Sequence, residues 1–574
     1  LLRNYFKTAW RNLTKNRFTS FINIGGLAIG MSVAILIGLW MVDELSYDKY
    51  HKNYERIAQV MQHQNFNGEI ATQPANPAVM AEEIRRVYGS NFKYVLQSSW
   101  NSTHTLAFGE KILLKQGSFF EPQVAEMLTL TMLRGSRNGL YDMNAILLSQ
   151  SVAEAYFGKD DPMNKIMKLD NKANVKVTGV YEDLPENTTL SGVQYLLPWD
   201  LYLSQNEWIK KMENPWGSNF TQTFVQIADN ADMEKVSAKI KDVKLNKIPK
   251  EEARYNPVVF LHPMKKWHLY SDFKGGINTG GRIDNVWLFG VIGIFVLLLA
   301  CINFMNLSTA RSEKRAKEVG IRKAIGSERR QLVVQFFSES VITSGCAFIL
   351  SLLLVLLILP FFNAVADKKI ALLWSSPVFW LTGIGFAIIT GLIAGVYPAL
   401  FLSSFQPVKV LKGTFRVGRN ASLPRKVLVV MQFSISIILI IGTMVVYKQI
   451  NHAQGRSIGY SKDGLISINS SDDTHNHFAS LRAELKNSGA VAEITESGSP
   501  ITDVWNSNGG FEWEGKDPNL AVDFPNNSVT YEYGKTIGWK IAEGRDFSRD
   551  FATDSLAFIL NESAVKFIGL KDPI

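Results

Sequence analysis

Residues 303–326 read NFMNLSTARSEKRAKEVGIRKAIG, and within them an apolar run of membrane-spanning length gives way to a dense positive cluster. Arg311, Lys314, Arg315, Lys317, Arg322 and Lys323 follow within a few turns, opposed only by Glu313 and Glu318. Such a cluster beside an apolar span fixes which end faces the cytoplasm. It also offers a cytoplasmic partner a surface to hold, so the stretch is either an orientation signal or a coupling element.

Working outward, the chain has 574 residues, of which 46% are hydrophobic, and a formal charge of +9. Its mean hydropathy is close to zero, because long apolar runs alternate with polar stretches of ordinary globular composition. That mixture indicates an integral membrane protein with sizeable soluble domains. The positive excess lies in three places, Arg3 to Arg17, Arg311 to Arg330 and Lys409 to Lys426, each against an apolar run. This placement serves membrane orientation and argues against nucleic acid as a partner. Both cysteines, Cys301 and Cys346, sit inside apolar runs, so no disulfide framework holds the polar domains.

Five spans are expected, at 21–42, 285–307, 341–364, 378–402 and 427–447, each long enough for about 30 Å of hydrocarbon. With all three basic clusters inside, 43–284 and 448–574 form outer domains, 308–340 an inner coupling segment and 403–426 a basic inner linker. Residues 1–20 form an interfacial helix on the inner leaflet. Tyr5, Phe6, Ala9, Trp10 and Leu13 share one face, and Arg3, Lys7, Arg11 and Lys15 recur every fourth residue on another. Two spans carry glycines four apart, Gly26 with Gly30 and Gly391 with Gly395, a spacing that lets helix backbones approach closely in lipid. Asn303 and Asn306 read as interhelical hydrogen-bonding groups, and Glu339 as an interfacial partner of the basic segment.

The outer segment 43–284 mixes strand and helix patterns and is expected to be α+β. Ala145 to Leu148 reads as a buried strand, and Ser149 caps a helix through Phe157. The C-terminal part echoes this phrase: AILLSQSVAEAYFGKDDP (145–162) resembles AFILNESAVKFIGLKDP (557–573). Upstream lie Leu133-Arg134-Gly135 and Ala542-Glu543-Gly544. A repeat of one span and one outer domain is expected, with the second copy incomplete within these residues.

Little points to chemistry inside the chain. There is no G-x-x-x-x-G-K-[ST] phosphate loop and no nucleophile elbow. His475 and His477, near Asp472 and Asp473, read as a solvated loop and not as a metal site. No catalytic residue, metal or cofactor is expected.

The stretch 303–340 resembles the MacB/FtsX family of ABC-transporter permeases. The matching residues are Asn303-Phe304, Asn306, Arg311, Arg315, the run Glu318 to Gly326, Phe337 and Glu339-Ser340. The order of one span, a large outer domain and three spans is similar too. INIGGLAIGM (22–31) and DELSYDKYH (43–51) look like the double-unit permeases of Bacteroidetes-type bacteria. The resemblance implies an α-helical transmembrane bundle with α+β extracytoplasmic domains of the MacB-like periplasmic core type, in a bacterial inner membrane.

It further implies mechanotransmission. A cytoplasmic ABC ATPase acting in trans would dock on a coupling helix formed by Lys317, Glu318, Val319, Gly320, Ile321, Arg322, Lys323, Ala324 and Gly326. Val319 and Ile321 would insert, and Arg322 and Lys323 would pair with acidic rims. A second permease copy, identical or not, a periplasmic adaptor and an outer-membrane channel are further implied partners, beside the bilayer. Export or efflux is the expected role. Control of a cell-wall hydrolase, as in FtsX-like members, and lipoprotein release are the alternatives.

Overall fold

The computed structural model describes residues 11, 14, 15, 17–310, 312–404, 423–456 and 458–574, with backbone only at 310, 312–317, 424, 425 and 472. The interfacial helix expected over 1–20 and the basic linker expected over 403–426 therefore fall largely outside the described residues. The chain divides into two compact units, Leu1–Ser46 with Arg282–Gly455, and Tyr47–Gly281 with Arg456–Ile574.

The first unit is helical. Among the described residues, five helices are long and apolar enough to cross a membrane. They are α1 (Arg17–Leu45), α2 (Arg282–Ala310), α4 (Arg329–Ala366), α5 (Pro377–Ser403) and α6 (Leu423–Gly455), with the polar α3 (Ser312–Ala324) after α2. Helix α4 starts well ahead of the apolar run at 341. A reciprocal cap between Glu328 and Gln331 opens it, and Leu332 and Phe336 give its first turns a buried face. Pro377 occupies the first turn of α5, where its missing N–H costs nothing.

Small residues set the helix crossings. A methyl group at Gly30 would collide with the Ala300 side chain of α2, so α1 and α2 meet backbone to backbone there. At Gly391 an added Cβ would lie 2.7 Å from the Val341 Cα, and at Gly395 2.9 Å from the Ser340 Cβ, so α5 lies directly on α4. Hydroxyls bridge the same seams. Ser344 donates to the Ala387 carbonyl at 2.8 Å, and Ser32 of α1 donates to the Ser351 carbonyl of α4 at 3.3 Å.

The second unit is α+β. Its main sheet has twelve strands among the described residues. They are β1 (Ile57–Phe66), β2 (Glu69–Gln73), β3 (Phe92–Ser98), β4 (Ser102–Phe108), β5 (Lys111–Phe120), β6 (Met132–Gly135), β7 (Ala145–Ser149), β8 (Ile166–Leu169), β9 (Ala173–Tyr181), β10 (Tyr195–Pro198), β11 (Gln222–Ile227) and β12 (Val258–Pro263). The order is β10-β7-β9-β8-β4-β5-β3-β11-β1-β12, with β2 on β1 and β6 on β9. Because β10 also pairs with β5, six strands close into a ring at one end of the sheet. A hairpin, β13 (Asp272–Lys274) and β14 (Ile277–Gly280), follows β12.

Strand alternation decides what each face packs against. Ala58, Val60, Val225, Val259 and Leu261 point to one side, under the helices Met80–Tyr88 and Met233–Ile240. The other side carries Gln59, Met61, Phe224 and His262. The C-terminal part, 456–574, is built from short helices and one two-stranded sheet, Asn506–Asn508 with Phe524–Asn526. Ion pairs stitch it: Glu493 binds Arg482 at 2.9 Å and Lys486 at 2.8 Å, and Asp554 binds Arg545 at 2.6 Å.

Candidate functional site

Helix α3 carries the sequence that resembles a coupling element, and its ends explain its shape. The helix stops because Gly326 takes a φ of +102°, a region open to glycine at little cost. The Gly326 N–H reaches the Lys323 carbonyl at 3.1 Å, and the Ser327 N–H reaches the Arg322 carbonyl at 3.0 Å. That pair of bonds is the Schellman closure of a helix C-terminus.

The expected coupling residues divide into two sets. Val319 is buried with Leu332 and Phe336 of α4 and Ala399 and Leu402 of α5, a burial worth about 2 kcal/mol. Gly320 is buried beside it. Arg322 bonds the Glu318 carboxylate at 2.7 Å and the Gln335 side chain on α4. Lys323 donates to the Ser403 carbonyl at the end of α5, at 2.6 Å. Burial, reinforced by Arg329, pulls the Lys323 ammonium below the usual lysine range. These groups fasten α3 to the two long helices beneath it. Ile321 is exposed, and Ile325, just past the helix end, is 81% exposed. Ala324 and Gly326 lie on the exposed end with them, and Lys317 is described in its backbone only.

Of the polar residues expected in the spans, Asn306 and Glu339 have hydrogen-bond partners. Glu339 accepts from Gln335 at 3.2 Å, so a chain of hydrogen bonds runs from Glu318 through Arg322 and Gln335 to Glu339. Asn306 of α2 donates to Gln432 of α6 at 3.3 Å. The Asn303 amide faces Gly26 of α1, where an added Cβ would lie 3.4 Å from it. Gly26 and Gly30 thus share the α1–α2 seam, and Gly391 and Gly395 share the α4–α5 seam.

Sequence reasoning did not find the anchors supplied by distant residues. Gln335 and Ser403 are ordinary in local sequence, and nothing near them marks α3 as their partner. The same holds at the far end of α1, where Lys368 bonds Asp43 at 2.7 Å and the buried Glu44 at 2.8 Å. Burial alone would lower the Lys368 ammonium, but the hydrogen bonds it donates to the two carboxylates outweigh it and raise it. From Tyr47 onward the phrase DELSYDKYH belongs to the second unit. There Asp48 accepts from Thr188 at 2.8 Å and from the Thr189 N–H at 2.7 Å. His51 bonds the Leu128 carbonyl at 2.8 Å. The phrase is therefore rich in paired polar groups, which composition alone did not reveal.

Two family models match the chain and together cover more than half of it. The MacB-like periplasmic core domain matches residues 20–243, and the FtsX-like permease C-terminal domain matches residues 290–407. The chain is similar to the macrolide export ATP-binding/permease protein MacB of Bdellovibrio bacteriovorus, with 26% identity over 46% of this chain and 38% of that protein. It is also similar to the uncharacterized ABC transporter permease YvrN of Bacillus subtilis, with 23% identity over 50% of this chain and 67% of that protein. The chain therefore spans well under half the length of the first of these relatives. Among solved structures, the periplasmic region of MacB from Actinobacillus actinomycetemcomitans aligns at 16% identity, over 36% of this chain and 90% of that one, with a TM-score of 0.26. That likeness is slight, so the assignment rests on the family models and the relatives. They identify a membrane protein with an extracytoplasmic α+β domain, and the chain belongs to the MacB/FtsX-like family of ABC-transporter permeases.

Proposed function

We propose that this permease converts ATP hydrolysis by a cytoplasmic ATPase into movement of its extracytoplasmic domain, and so drives export of a substrate. The observation that carries this reading is the division of α3. Val319, Arg322 and Lys323 fix it to α4 and α5, while Ile321 and Ile325 present apolar surface at its tip. An exposed isoleucine pair on a firmly anchored helix suits insertion into a groove of a partner. Displacement of that tip would pass to α4 and α5 through the buried contacts.

On this reading the spans alternate as the basic clusters indicate, with α3 on the cytoplasmic side, in a bacterial inner membrane. The polar residues Asn303, Asn306 and Glu339 support helix packing and the anchor, not a solute path. The glycine seams let α1, α2, α4 and α5 move as close-packed pairs. A second permease copy would complete the ATPase's two-fold surface, and an adaptor and outer-membrane channel would extend the export route.

The test is copurification. Ile321→Glu with Ile325→Glu is expected to abolish recovery of the ATPase with the permease while membrane insertion stays intact. Undiminished recovery would remove α3 as the docking element. Arg322→Glu with Lys323→Glu is expected to do the same and also to loosen α3 from Gln335 and Ser403.

A further inference from the structure

The side of the sheet opposite the Met80–Tyr88 and Met233–Ile240 helices has a packed cluster of its own, with Ile57, Leu96, Phe224 and Trp267 in it, and a cavity adjoins that cluster. In the register of the central strands, Phe224 of β11 and His262 of β12 both lie beside Gln59 of β1, so the three form one row on one face. Met61 follows two residues on, and these four residues floor a cavity of about 770 Å³. Trp100 and Trp267 wall it, and Phe273 of the β13–β14 hairpin stands at its edge, its ring 5.5 Å from the His262 ring. A volume of this size lies within the range of small-molecule sites.

His262 is 6% exposed, yet its Nε2 has no hydrogen-bond partner among the described residues. Buried ring nitrogens ordinarily have partners, because leaving one unmet costs free energy. The ring's other hydrogen bond is with the Lys266 backbone and favours a proton on that nitrogen, so Nε2 is left as an acceptor. Burial, then the Lys266 charge, bring the ring down to about 4, so it is neutral near pH 7. Trp267 is fixed by donating its Nε1–H to the His262 carbonyl at 2.8 Å, which preforms the wall. The site therefore combines flat aromatic surfaces with one buried acceptor.

We infer that this cavity binds a small molecule with an apolar, ring-containing body and one hydroxyl or N–H group that donates to His262 Nε2. The aromatic walls take the body, and Gln59, next to His262, offers a second polar contact at the same end. Binding here uses only the extracytoplasmic unit, so it stands apart from the proposed ATPase docking.

The experiment uses the full chain in lipid nanodiscs and the photoreactive probe 4-hydroxybenzophenone, with unsubstituted benzophenone beside it. After irradiation, adducts are located by peptide mass spectrometry. In the wild type, adducts are expected on the peptides holding Met61 and Trp267 to Lys274, with the hydroxylated probe favoured roughly tenfold, as an unmet buried acceptor would dictate. His262→Phe should erase that preference, and His262→Gln, which keeps an acceptor, should retain part of it. Equal labelling by the two probes in the wild type, or adducts confined to the spanning helices, would overturn the inference. The wild-type ratio needs no variant, so misfolding of His262→Phe leaves the test decisive.

Discussion

Two stretches of kindred sequence, 145–162 and 557–573, form the same helix but not the same strand. In the first, Ser149 precedes the helix Gln150–Phe157, which ends at Gly158 with φ at +61°. In the second, Asn561 accepts from the Ala564 N–H, and the helix Glu562–Ile568 ends at Gly569 with φ at +81°. Ahead of the first helix, all five residues of β7 are buried between β9 and β10. Ahead of the second, 557–561 pair with no described strand, and Phe558 is 74% exposed. Caps and terminators act within a few residues of their own position, whereas a strand exists only when another chain segment completes its ladder. The long apolar helices that precede the two stretches differ likewise. Helix α1 is packed against α2 and α4, while none of the described residues in the apolar stretch of α6 is buried.

The contrast can be broken most sharply in the strand. Ile146→Asp would place an uncompensated charge in the sealed core and is expected to cost more than about 4 kcal/mol. Phe558→Asp, at the matching place, should change stability by less than about 0.5 kcal/mol. Thermal unfolding of the two purified variants measures both, and similar losses would mean that 557–561 is packed.

The next effect concerns the ends of α1 and α6. Lys368→Met would strand the buried Glu44 and should cost about 3 kcal/mol, part of it recovered by adding Glu44→Gln. Helix α6 continues through Lys448, Gln449 and Ile450 without an acidic pair, so Lys448→Met should leave the midpoint unmoved. Failure of the second substitution to restore any of the loss would show that the ion pair is incidental.

A smaller effect is expected from glycine. Gly30→Leu drives a side chain into Ala300 and should destabilise by about 2 kcal/mol, read as a lower midpoint in detergent. Gly442 of α6 has open space around an added Cβ, so Gly442→Leu should be silent.

The last effect comes from pH. Burial alone would raise the Glu493 carboxyl, but hydrogen bonds from Lys486, Arg482 and the Ile494 N–H outweigh it and hold it at about 2. Its folded value is below its unfolded one, so its stabilisation is present above about pH 4.5 and fades as pH falls toward 2. Lys244, in the α+β part that follows α1, goes the other way. Burial lowers its ammonium to about 8, so the unfolded chain binds the extra proton between about pH 8 and 10.5, and stability rises with pH there. Glu493→Gln should flatten the acid limb of the stability profile, and Lys244→Met the alkaline one.

What could be read ahead of the structure follows the same division between local and distant causes. The apolar runs at 285–307 and 378–402 coincide with helices because twenty apolar residues in succession leave few alternatives. The run Ala145 to Leu148 was legible as a strand for its unbroken apolarity. Strand β1 was not, because Gln62 and Gln64 sit buried in it. They are tolerated because Gln62 accepts from Lys244 Nζ at 2.9 Å, and Gln64 accepts from Gln73 at 2.5 Å. In the candidate site, the charge and glycine pattern of 317–326 was visible. Which of those residues point inward was hidden, since Gln335 and Ser403 decide it. The cavity at His262 left no mark on the sequence, being assembled from strands far apart along the chain.

The elbow between α3 and α4 has a mechanical consequence. Each N–H from Ile325 to Glu328 is already hydrogen-bonded, to Ile321, Lys323, Arg322 and Gln331 in turn. A joint with all its donors engaged has no inexpensive second conformation to slip into. Whatever displaces α3 therefore reaches the first turn of α4 without backlash, and any elastic give must reside farther along the bundle.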